Sequence, residues 1–331
     1  MRRAAQLFWK VILPALILGA ISWYFYDKLR KPELWAGSIH LRFEWLIPSA
    51  ILYVISQAVW GVFSIMLLHD QGARISWAAG MRAYFVSQFG KYLPGKVWVL
   101  VLRVRMLGNI GISKTAVGIT ATYEALTSMA AGVLIGVLLL PFLAAEQMNV
   151  RGTSVYWVAP FALMPVAMVG LNRFVNRVNR WRKGPGAAQL PRVKLHMVLF
   201  GLLQASVGWV LLGLSLWMCV NGLHDENWAF TGERVVHLVA INAIAYVIGF
   251  LAVMMPAGGG IREIALQSLL TLELALTMPR ESAEPLAAVT AIVLRLLWTV
   301  AELLTAGALY HLAPSADVGD LPPVVVEIPN E

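Results

Sequence analysis

The chain has 331 residues, 59% of them hydrophobic and only 13% charged, and its mean hydropathy is +0.70. That composition excludes a soluble globular enzyme, and polar stretches of roughly 20 residues are too short to fold as an independent catalytic domain. The net charge of +8 is spread over separate loops, which excludes a nucleic-acid surface and gives the basic residues an orienting role instead.

A bilayer span needs about 20 mostly apolar residues. The first candidate, 8–26, is flanked by Arg2, Arg3 and Lys10, and its end, Ser22-Trp23-Tyr24-Phe25-Tyr26, offers no small-residue cleavage site. It reads as an uncleaved span, not a signal peptide. The next span, 45–68, returns the chain to the first side, and 77–112 follows as an apolar region broken by Lys91-Tyr92-Leu93-Pro94-Gly95-Lys96. Spans at 115–141, 156–171 and 195–220 come next. A second broken region, 235–276, is interrupted by Pro256-Ala257-Gly258-Gly259-Gly260-Ile261-Arg262-Glu263, and 285–312 is the last span. Tryptophans 9, 23, 45, 157, 217 and 298 fall near span ends, as interfacial anchors do, whereas Trp60 and Trp209 sit deeper.

The expected fold is therefore an all-α polytopic membrane protein with about six full spans and two Pro/Gly-broken, re-entrant helical regions. Residues 1–312 form one integral-membrane domain. The segment 313–331, with Pro314, Pro322, Pro323, Pro329 and four acids, reads as a flexible cytoplasmic tail.

Orientation follows from the basic residues. The segment 172–194 carries Arg173, Arg177, Arg180, Arg182, Lys183, Arg192 and Lys194 without an acid, while the loops near 142–155, 221–234 and 277–285 are neutral to acidic. The positive-inside rule places the basic segment and both termini on the cytoplasmic side of a cytoplasmic (inner) membrane. Counting crossings then makes the two broken regions enter from opposite faces, the arrangement of an inverted repeat whose discontinuous segments hold a substrate.

Both breaks carry cations. Proline and clustered glycine end a helix, and in a bilayer the freed backbone groups survive only inside protein or beside a wet cavity. A helix restarting after Pro94-Gly95 aims its N-terminal N–H groups at the break, with Lys91, Lys96 and Arg103 nearby, a receptor for an anionic head group. The bland alternative is that such cations reach the interface, the reading favoured for Arg105 and Lys114. At the second break Gly258, Gly259 and Gly260 let a ligand approach the backbone, and neighbours Arg262 and Glu263 point apart, so each seeks a partner on another element. Three further charges lie within spans: Glu124, beside Thr120, Thr127 and Ser128 on an inward polar stripe, and Arg295 and Glu302, seven apart on one helix face. His237, near a span end, reads as interfacial.

Other chemistry is sparse. The single cysteine, Cys219, excludes an intrachain disulfide and a cysteine zinc site, and the six histidines lack metal-ligand spacing. There is no GxSxG, HExxH or Walker sequence. No cofactor is expected, and transport is expected in place of catalysis.

Lys91-Tyr92-Leu93-Pro94-Gly95 followed by Val97-Trp98 and Arg103, then Pro256, Gly258, Gly260, Arg262 and Glu263, then Arg295 in the final span, resemble in order the hallmarks of the lysylphosphatidylglycerol synthase transmembrane-region family, a flippase-like domain. The resemblance covers about residues 8–312. Ala257 stands where that family usually has glycine, and Glu124-Ala125 with Thr127-Ser128 replaces its common Glu-Arg and following Asp. Synthases append a soluble aminoacyl transferase domain, and without one the chain is not expected to make an aminoacylated lipid. The resemblance implies binding or moving a membrane lipid with a charged head group: a phospholipid, aminoacyl-lipid, hopanoid or polyprenyl-linked sugar. Two alternatives stand beside it: a membrane-embedded transferase or accessory protein acting on a polyprenyl-linked sugar, and a non-transporting scaffold for a partner membrane enzyme.

Overall fold

The computed structural model describes residues 41–93, 97–139, 163–184, 193–224, 227–251 and 260–312, plus four isolated positions before them. Among these residues every regular element is helical. In chain order they are α1 (Phe43–Asp70), α2 (Trp77–Ser87), a 3-10 turn (Gln88–Tyr92), α3 (Val97–Gly108), α4 (Lys114–Leu139), α5 (Met164–Lys183), α6 (Leu195–Asn221), α7 (Gly232–Leu251), α8 (Ile261–Leu274) and α9 (Arg280–Leu312). Five of them, α1, α4, α6, α7 and α9, are long and apolar enough to cross a bilayer. The protein is a multi-pass membrane protein.

The expected spans at 45–68, 115–141, 195–220 and 285–312 correspond to α1, α4, α6 and α9. The span 8–26, the first half of 156–171 and the tail 313–331 lie outside the described residues, as do Pro94, Gly95, Lys96, Gly258 and Gly259. Two expectations change. The helix expected to end at 171 runs on through the basic segment to Lys183, because no proline or glycine interrupts 171–183; Gly184, at φ +83°, follows its last turn. The first arm of the second broken region is α7, whose 20 residues suffice to span alone, so this region is not a pair of short arms.

The first region does consist of short arms. Helices α2 and α3, with 11 and 12 residues, rise only about 17 and 18 Å at 1.5 Å per residue. Ser76 caps α2 by accepting from the Ala79 N–H at 3.2 Å. Gly90, in the 3-10 turn, lies so close to the backbone at Trp98 and Val99 that a Cβ there would overlap it. The two arms therefore fold back on each other across the break.

The body of the bundle is the seam between α1 and α6. With no hydrophobic drive between helices in lipid, close approach and interhelical hydrogen bonds hold such a seam. Gly201 and Gly208 on α6 leave room for Phe63 and Trp60 of α1, where a Cβ would overlap either ring. Further along, Ser49 and Ser215 exchange hydroxyl-to-carbonyl bonds of 2.7 and 2.8 Å. The Trp60 indole donates to the Ala205 carbonyl at 3.2 Å, and Trp209 donates to the Ser128 carbonyl at 3.0 Å, which joins α4 to the seam. Both deep tryptophans are thus core residues, and Cys219 is fully buried among apolar side chains.

Candidate functional site

Glycine opens the last constellation. Gly260 sits at φ +86°, a left-handed conformation that suits glycine, and the Glu263 carboxylate accepts from its N–H at 2.7 Å to cap α8. That cap fixes Arg262 and Glu263 in the first turn, pointing to different neighbours. The Arg262 guanidinium lies between two rings, 4.1 Å from the Tyr246 centroid on α7 and 4.9 Å from that of Trp298 on α9. Gly249 of α7 makes this possible, since a Cβ there would stand 2.6 Å from the Arg262 Cβ. Glu263 faces Arg295 of α9 at 3.7 Å.

The first break is held by the same face of α9. Glu302, two turns beyond Arg295 and 2% exposed, pairs with Lys91 and accepts from Tyr53 of α1. The Tyr92 hydroxyl stands 3.0 Å from Glu302 and 2.9 Å from Thr299. Tyr53 in turn stacks on Trp298 with centroids 4.6 Å apart, and the Trp298 indole donates to Ser215 at 2.9 Å. One helix face therefore ties both breaks to the α1–α6 seam.

Arg103 of α3 is buried against Glu124 of α4, as an ion pair, and also donates to Ser87 and Ser64 at 3.1 Å. Its guanidinium lies 4.8 Å from the Tyr84 ring. Thr120, Thr127 and Ser128 are buried with Glu124, as the polar stripe required.

These groups surround one cavity of about 380 Å³, within the ~300–1,000 Å³ range of small-molecule sites. Lys91, Arg103, Glu124, Arg262 and Arg295 line it, with apolar wall from Trp60, Leu126 and Phe250. The structure thus brings together charges drawn from five separate sequence segments. Glu263 and Glu302 stand behind Arg295 and Lys91 as their counter-charges. Among the described residues, Arg262 has no carboxylate within ion-pair distance.

Three features of the site lie outside the sequence expectations. Tyr53 and Gln57 on α1, both buried, contribute to the site or its support, and their signal was a polar stripe (Ser49, Tyr53, Ser56, Gln57, Ser64) at helical spacing within an apolar run. The aromatic clamp of Tyr246 and Trp298 had no local signal. The partner of His237 had no local signal either: near the start of α7 it is 4% exposed, and its Nδ1 lies 2.8 Å from Glu273 of α8. No group of three metal-ligating side chains occurs among the described residues.

Residues 11–307 match the family described as Lysylphosphatidylglycerol synthase TM region. No curated protein matches the chain.

Proposed function

Because this chain belongs to the lysylphosphatidylglycerol synthase TM region family, we infer that its cavity receives the phosphate-bearing head group of a membrane lipid and passes it between leaflets, without catalysis and without a cofactor. The observation that carries this reading is Arg262. An arginine held away from water faces a desolvation cost of several kcal/mol, and breaking or omitting its counter-ion leaves that cost uncompensated. Two cation–π contacts return roughly 0.5–2 kcal/mol each, which does not close the gap. A phosphate entering the cavity supplies the missing anion and forms charge-assisted hydrogen bonds with a donor fork already oriented by two rings. The other three cations have carboxylate partners, so they position the site while Arg262 recognises the ligand. The cavity volume suits a head group, and the acyl chains remain in lipid beside the short arms α2 and α3. Alternating exposure then requires the broken segments to move against the long helices.

Reconstitution of the full chain in vesicles carrying fluorescent phospholipids, read by quenching of the outer leaflet, tests this. The expected result is protein-dependent exchange of at least one phospholipid class, reduced about tenfold or more by Arg262→Gln, equivalent to about 1.4 kcal/mol per tenfold. Movement of no phospholipid, or exchange unchanged in the Arg262→Gln protein, overturns it.

A further inference from the structure

The second half of α5 takes no part in the cavity, yet its surface is sharply divided. At 100° per residue, positions seven apart share a helix face. Val169, Asn172 and Asn176 are buried and mark the side that packs against the bundle. Phe174 and Trp181, seven apart, stand 64% and 86% exposed. Arg173, Arg177 and Arg180 form the adjoining exposed ridge. No acid occurs between Met164 and Lys183.

Two large exposed aromatic rings beside a ridge of three arginines have the composition of a membrane-surface helix. A membrane interface accommodates both: ring faces enter the acyl boundary, and guanidinium groups meet the phosphate layer above it. The alternation is a sharper feature than an excess of positive charge, because orientation by positive charge does not require the arginines to share a ridge or the aromatics to flank it. We propose that Asn172–Lys183 is a binding surface for anionic phospholipid of the adjacent leaflet, with Arg173, Arg177 and Arg180 on the phosphates and Phe174 and Trp181 among the chains. This surface is independent of the cavity and holds whether or not the cavity moves lipid.

Cys219 is fully buried, so a cysteine introduced at Arg182, off the arginine ridge, carries a fluorophore without removing the native thiol. The labelled full-length R182C protein is placed in nanodiscs containing either brominated phosphatidylglycerol or brominated phosphatidylcholine at equal mole fraction. Quenching is expected to be about twofold or more stronger with the anionic lipid, and to converge for the two lipids at 1 M salt, where the Debye length falls to about 3 Å. The added changes R173Q, R177Q and R180Q are expected to abolish the preference, and R173K, R177K and R180K to retain most of it. Equal quenching by the two lipids in the otherwise unchanged R182C protein overturns the proposal, whatever the fate of the neutralised variant. A preference that survives neutralisation of all three arginines does the same.

Discussion

Arg295 and Glu302 lie two turns apart on α9, and each reaches a different break: Arg295 stands 3.7 Å from Glu263, and Glu302 pairs with Lys91. A single helix face thus fixes the distance between two interruptions far apart in sequence. The break residues do not merely pack against each other, because Lys91, Arg262 and Arg295 also face the cavity.

Removing one member of a buried pair costs more than the pair contributes, since the survivor keeps its charge without its partner. Glu302→Gln is therefore expected to destabilise the protein by several kcal/mol, toward the lower end of ~3–5 kcal/mol because the Lys91 side chain keeps 16% exposure. Thermal unfolding in detergent measures it. Lys91→Met combined with Glu302→Gln is expected to lose clearly less than the sum of the two single losses; a double variant whose loss equals that sum would show that Lys91 and Glu302 do not act as a pair.

Arg103 and Glu124 bridge the short arm α3 to the long helix α4. A double-mutant cycle over Arg103→Gln and Glu124→Gln is expected to give a coupling of about 1–3 kcal/mol, the range for contacting residues in one network. Strict additivity of the two single changes contradicts the contact.

Packing at the α1–α6 seam predicts a contrast between two glycines. Gly208→Ala places a methyl against the Trp60 indole and is expected to cost about 1–3 kcal/mol by overpacking. Gly170→Ala on α5 meets nothing within 4 Å and is expected to be neutral or to stabilise by up to about 1 kcal/mol through helix propensity. Melting temperatures of the two proteins, compared in one detergent, decide it.

Thiol chemistry offers a simple check of the core. Cys219 is fully buried between apolar side chains, so maleimide is expected to leave the folded protein unmodified and to react stoichiometrically after unfolding in SDS. Mass spectrometry reads both states. Rapid labelling of the native protein contradicts the packing of α6.

Much of this arrangement was legible in the sequence, for physical reasons that differ by element. Charges are so costly in a bilayer that Glu124, Arg295 and Glu302 announced a polar interior before any helix was placed. Their seven-residue spacing put Arg295 and Glu302 on one face, and both are buried on α9. Partner choice was not legible: whether Glu302 meets Lys91 or Arg295 depends on where α9 crosses the first break, which no local pattern encodes. The clamp on Arg262 was equally hidden, because Tyr246 and Trp298 read as ordinary apolar-helix aromatics. At α5 the sequence misled, since polarity after Leu171 resembled a loop while nothing in it stopped a helix before Gly184.

The cation sandwiched by Tyr246 and Trp298 also has an electrical consequence. Around the cavity, Lys91, Arg103, Arg262 and Arg295 stand against Glu124, Glu263 and Glu302, so the described groups, each counted in its ionised form, sum to one positive charge. A lipid phosphate carrying one negative charge brings that set to zero. If the cavity receives such a lipid as proposed, the voltage across an energised membrane, which acts with about 2.3 kcal/mol per unit charge per 100 mV, would find no net charge to drive in the loaded site. In the empty site it finds one.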